Sequence, residues 1–164
     1  MAAYLPPVPH NNVMNTAYFN SQDFSSAKAI TKLPCGRASG NSTTTFANGA
    51  TIIAVLNTTN LATGGMPSMS NNGFTVPLAG IYNVTFMVNF ATTTGSTFSI
   101  SSAINGAVNN YSSTVTASNT SMSSILLLNL NKGDLIQGFI YFLGTSAVSN
   151  STSVTLNVQF VSIA

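Results

Sequence analysis

Residues 81–90 read IYNVTFMVNF, and every second one is large and apolar. Tyr82, Val84, Phe86, Val88 and Phe90 share one face, while Asn83, Thr85, Met87 and Asn89 share the other. The stretch VTLNVQF repeats the pattern, with Val154, Leu156, Val158 and Phe160 against Thr155, Asn157 and Gln159. Period two fits only a strand with one buried and one wetter face. No window of ten residues carries a helical stripe. Further runs of Val, Ile, Thr, Phe and Tyr, punctuated by Gly, Asn, Ser and Pro, predict strands at 28–33, 51–56, 74–76, 98–104, 112–117, 124–130 and 135–143. With 81–90 and 154–162 these make an antiparallel all-β sandwich over 28–164, a single domain of ordinary size.

One strand departs from the rule. In LIQGFIYFL, residues 135–143, Ile136, Gly138, Ile140 and Phe142 lie on one face. Gln137, Phe139, Tyr141 and Leu143 lie on the other, so both faces are apolar and both are covered. A loop of the same chain or a second subunit provides the cover, and the subunit is the reading taken. Charge argues the same way. Only 4% of the residues are charged, against about 25% in an ordinary soluble domain. Sandwiches usually guard their edge strands with Lys or inward charges, and this one has almost none to use. Its edges are expected to be covered by partners, or blunted by Pro and Gly.

Residues 1–27 form a separate segment, expected to be an extended arm, with a disordered tail as the alternative. YLPPVP favours polyproline-like backbone, and the following residues scatter aromatic and aliphatic side chains without a period. Tyr4, Leu5, Val8, Val13, Met14, Tyr18, Phe19 and Phe24 are the candidates for docking this arm on a neighbouring subunit.

The remaining composition excludes several functions. A net charge of +2 is too weak a field for nucleic acid or an anionic membrane. No apolar run reaches the length of a membrane helix. The first residues lack the basic and apolar regions of a secretory leader, and Cys35 has no partner for a disulfide. Six N-x-[ST] sequons begin at Asn41, Asn57, Asn83, Asn110, Asn119 and Asn150, and in a chain so rich in Asn, Ser and Thr chance explains most of them. Catalytic groups are scarce: one His (His10, in the arm), one Cys, Asp23 and Asp134, and no Glu. No set has the spacing of a metal site or of an acid–base pair. Cys35 beside Arg37 reads as a structural thiol, and Gly64–Gly65 as a loop with no phosphate-binding lysine. The expectation is no enzyme, no cofactor and no metal.

Four motifs resemble the C1q/TNF-like domains. FTVPLAGIYNVTF is similar to their G-x-Y entry into an alternating strand, and ISSAINGAV to their next strand with a short Asn-Gly turn. SILLLNLNKGDLI resembles their strand, Gly-Asp turn and second strand, and SVTLNVQFVSIA their closing strand. The resemblance covers residues 74–164, and the calcium-binding acidic residues of some members have no counterpart beyond Asp134. It implies a single jelly roll of ten strands that associates as a trimer, favoured over a pentamer. It also implies that one sheet, holding 81–90, 135–143 and the closing strand, faces the threefold axis. On that basis Gln137, Phe139, Tyr141, Leu143, Met87 and Gln159 are interface residues. Lys132, Gly133 and Asp134 form a structural turn, with Gly133 at positive φ and Asp134 accepting backbone hydrogen bonds.

The jelly roll, the arm and the uncharged Ser/Thr/Asn surface together suit a structural protein of a virion: a capsid, minor capsid or vertex component. Its partners would be copies of itself and other capsid proteins. The alternative is a trimeric recognition head, on a fibre, spike or spore surface, that binds a receptor or glycan.

Overall fold

The structure, a computed structural model, describes residues 33–91, 96–108, 113–116 and 121–163. The arm, and the strand expected at 28–33 apart from Leu33, lie outside them. Eleven strands and no helix are found among the described residues. They are β1 (Cys35–Phe46), β2 (Thr51–Ile53), β3 (Thr58–Thr63), β4 (Gly73–Thr75), β5 (Gly80–Phe90), β6 (Ser96–Ile104), β7 (Ala107–Val108), β8 (Ser113–Thr116), β9 (Ser121–Leu130), β10 (Leu135–Gly144) and β11 (Val148–Ser162).

They form two antiparallel sheets. One has the order β3-β1-β11-β5-β9. The other runs β2-β10-β6-β7, with β4 following β2 along β10 and β8 following β7 along β6. The chain changes sheet at most of its connections, as a jelly roll does. Seven of the expected strands are found within a few residues of their predicted limits. The eighth, at 51–56, is strand only over Thr51–Ile53, and β1, β3 and the two-residue β7 were not anticipated.

The core lies where the alternation put it. Tyr82, Val84, Phe86, Val88 and Phe90 of β5, and Val154, Leu156, Val158 and Phe160 of β11, are all buried. Each contributes about 1.5–3 kcal/mol on leaving water. At one end Phe46, Phe90, Phe98 and Phe142 form an aromatic cluster. Phe46 meets Phe98 edge-on at 5.4 Å, and Phe98 lies 4.2 Å from Phe90. At the other end Tyr82 meets Phe160 edge-on at 5.3 Å and donates its hydroxyl to Leu78 O at 2.7 Å. Burial pushes the Tyr82 phenol above its usual pKa.

One expectation is overturned here. Strand β10 does not share a sheet with β5 and β11: it lies in the opposite sheet, paired with β6, β2 and β4. The turn at Lys132–Gly133–Asp134 carries the chain across the sandwich rather than folding a hairpin within one sheet. The inner sides of β5 and β10 therefore face each other. Phe86 lies so close to Gly138 that a Cβ there would come within 2.2 Å of its ring.

Candidate functional site

No set of three His, Cys, Asp or Glu side chains placed to hold a metal ion occurs among the described residues. The features that stand out are the corner that joins the sheets and the outer faces of the sheets.

The corner follows from the sequence NKGD. Strand β9 ends at Leu130, and Gly133, at φ +95°, reverses the chain. Asp134 N donates to Asn131 O at 3.1 Å, and Asn131 N donates to Asp134 Oδ2 at 2.8 Å. Two backbone bonds of 2.8 Å, Gly133 N to Val76 O and Val76 N to Asp134 O, tie the turn to the residue following β4. The other carboxylate oxygen takes a bond from Asn105 Nδ2 at 2.8 Å. Asn105 Oδ1 in turn accepts from Leu135 N at 2.8 Å. Asn105 and Gly106, at φ +53° and +80°, form the two-residue turn between β6 and β7, the pairing for which Asn-Gly is favoured. Asp134 thus joins two turns, while Lys132 is exposed. The contribution of Asn105 could not be read from spacing, because it lies 29 residues away.

The six residues expected at an interface divide between the outer faces of two sheets. Met87 and Gln159 lie outward on the five-stranded sheet and are exposed. Gln137, Phe139, Tyr141 and Leu143 lie outward on the other sheet, with a graded exposure. Gln137 and Phe139 are only 5% and 7% exposed, Tyr141 is half-buried, and Leu143 is open to solvent. Gln137 also donates to Asn71 O at 2.8 Å. The eight arm residues, Tyr4 to Phe24, lie outside the described residues.

Two exposed residues on β9 were not anticipated. Ile125 and Leu127, 64% and 70% exposed, stand outward beside Thr85 and Asn83. With Met87 they form an apolar patch on the five-stranded sheet. The run ILLL, apolar on both faces, is the same signal as LIQGFIYFL and could have found them. Within the patch, Asn83 pairs in register with Gln159 on one side and Leu127 on the other. Its Oδ1 is buried without a hydrogen-bond partner. On the other sheet Leu143 and Ile53 are exposed.

The fold is a jelly roll like that of C1q/TNF-like domains. The same fold is found in the globular domain of zebrafish complement 1qA, at 16% identity and a TM-score of 0.57, over 80% of this chain and 99% of that one. It is also found in vertex protein P5 of PRD1, at 14% and 0.56, over 79% and 98%. The Eiger TNF of S. frugiperda matches at 12% and 0.51, over 81% and 96%. No family model and no curated protein matches the sequence.

Proposed function

We propose that the protein is a non-enzymatic structural component of a virion. Copies associate as a trimer, the patch of Met87, Ile125, Leu127 and Gln159 on one meeting the outer side of Tyr141, Leu143 and Ile53 on the next. Two different apolar patches on opposite sheets are the observation that carries this reading. A head-to-tail contact uses two patches and gives a ring when its rotation closes, whereas a twofold dimer needs only one self-complementary patch. The unpartnered Asn83 Oδ1 adds support, because a buried acceptor inside such a patch calls for a donor. Likeness to the PRD1 vertex protein is in keeping with a virion role, with other capsid proteins as further partners. The arm, residues 1–27, docks through Tyr4, Leu5, Val8, Val13, Met14, Tyr18, Phe19 and Phe24 on a neighbour.

Light scattering behind a sizing column tests the association. Three times 17.0 kDa is expected for the wild type, and a smaller mass for Ile125→Ser with Leu127→Ser. An unchanged mass in that variant would refute the interface. Deleting residues 2–25 tests the arm: incorporation into particles should be lost while the domain still folds.

A second reading, a recognition head, draws on a shallow groove of about 560 Å³ on the five-stranded sheet. Asn41, Thr43, Asn89, Ser151 and Ser153 line it with uncharged hydroxyls and amides suited to a neutral saccharide. A glycan array with the purified protein would decide this point.

A further inference from the structure

The sequence contains three Asn-Gly steps: Asn48–Gly49, Asn72–Gly73 and Asn105–Gly106. Asn is among the thermolabile residues, and a following Gly lets the backbone nitrogen reach the side-chain amide. In all three steps the Asn Oδ1 accepts one backbone N–H: from Gly144 at 3.2 Å, Leu56 at 3.0 Å and Leu135 at 2.8 Å, respectively. Such a bond polarises Cγ and stabilises charge developing on its oxygen. The nucleophiles differ. Gly49 N donates to Phe142 O at 3.0 Å, and Gly73 N donates to Ser70 O at 2.9 Å. Gly106 N has no hydrogen-bond partner among the described residues, and the turn that carries it is exposed.

We propose that Asn105–Gly106 is a site of spontaneous covalent modification, which converts Asn105 to aspartate or isoaspartate and unlocks the corner at Asp134. Gly106 N loses its proton to base and attacks Asn105 Cγ. The Cγ–Nδ2 bond breaks, and Nδ2 leaves as ammonia with a proton taken from solvent. A cyclic imide remains. Water adds to one or the other of its carbonyls, giving aspartate or the isomer whose backbone runs through Cγ. One water is consumed, one ammonia is released, and nothing is oxidised.

The consequence lies at the corner. Asn105 Nδ2, a donor to Asp134 Oδ1, is replaced by a carboxylate oxygen facing a carboxylate. Two like charges at hydrogen-bond distance repel where an attraction stood before. The isoaspartate form also lengthens the two-residue turn by one backbone carbon. The change is one-way, and it falls on the residue that ties the β6–β7 turn to the crossing between sheets.

The test is to incubate the full-length protein in mildly alkaline buffer and map its peptides by mass. The peptide containing Asn105 should be the first to show the mass gained when NH is replaced by O. Asn48 and Asn72 should react about fivefold more slowly or less, since each tied Gly N–H must first be released. Earlier reaction at Asn48 or Asn72 would overturn the assignment. So would no reaction at Asn105 over a time in which the free peptide Ile-Asn-Gly-Ala converts. Asn105→Asp tests the consequence separately: its thermal midpoint should fall below that of the wild type. A midpoint equal to wild type would remove the unlocking.

Discussion

Strands β5 and β10 face each other across the sandwich and are built by opposite rules. Strand β5 places five large side chains inward and, Ile81 and Met87 apart, polar ones outward. Strand β10 has apolar residues on both sides and leaves a gap inward at Gly138, which Phe86 of β5 fills. Period two reports which side is inward only when the other side meets water. Where Gln137 and Phe139 are buried outward as well, the alternation fades, and depth must be read from the packing. The two strands also divide the work. The inner contact fixes how the sheets sit together, while the outer sides of both strands carry the residues proposed for assembly.

The contact between them should be the most sensitive point. Phe86→Ala is expected to cost about 3–5 kcal/mol in denaturant unfolding. Gly138→Val alone should cost about 1–3 kcal/mol through overpacking. In the Phe86→Ala background that cost should shrink, because the cavity takes the new methyl groups, and a double-mutant cycle would read the coupling. Additive costs would mean that the two residues do not meet. Next comes the outer side of β10. Phe139→Ser should lower stability by about 2–4 kcal/mol, as for a buried aromatic, whereas Leu143→Ser should stay within about 0.5 kcal/mol and weaken only the association. At the corner, Asp134→Ala should cost about 1 kcal/mol, the net value of exposed hydrogen bonds, and leave the solution mass unchanged. An effect of similar size is expected at Tyr82. Its raised pKa means the folded chain holds the phenolic proton more tightly than the unfolded chain, whose value is near 10.0. The stability it contributes is constant below that pH and is lost as pH rises through the raised value. Tyr82→Phe should flatten this alkaline limb and cost about 1 kcal/mol at neutral pH through the lost bond to Leu78.

Strands that bury large residues on one face, β5 and β11, announced themselves in the alternation, and the apolar runs of β9 and β10 marked where those strands lie but not which sheet β10 joins. Strand β1 left no such mark, although it is a long strand between β3 and β11. Its inward positions include Gly36, Ala38 and Gly40. A Cβ at Gly36 would come within 2.9 Å of the Phe74 ring, and one at Gly40 within 2.0 Å of Val55 O. Close approach of the other layer requires small residues there, and small residues carry no hydrophobic period. Strand β3 was hidden for a related reason: its alternation is weak, and its pairing with β1 shifts at Arg37–Ala38. The turn at Gly133 was legible because positive φ and a carboxylate leave a local signature. The sheet to which it delivers β10 was not, because that depends on partners far along the chain. Leu127 and Ile125 were legible in principle, in an apolar run whose two faces were not separated.

Strand β11, whose sequence comes last among the eleven, lies between β1 and β5. Its pairing with β1 joins Cys35 to Gln159, so the sheet closes a loop of more than a hundred residues. Contacts so distant in sequence make folding slow, because loop closure must precede its reward. During synthesis β1 and β5 leave the ribosome long before the strand that joins them, and a nascent chain interrupted before β11 holds two half-sheets with nothing between them. The five-stranded sheet therefore cannot close until β11 has been made, and until then β1 and β5 each keep an open edge.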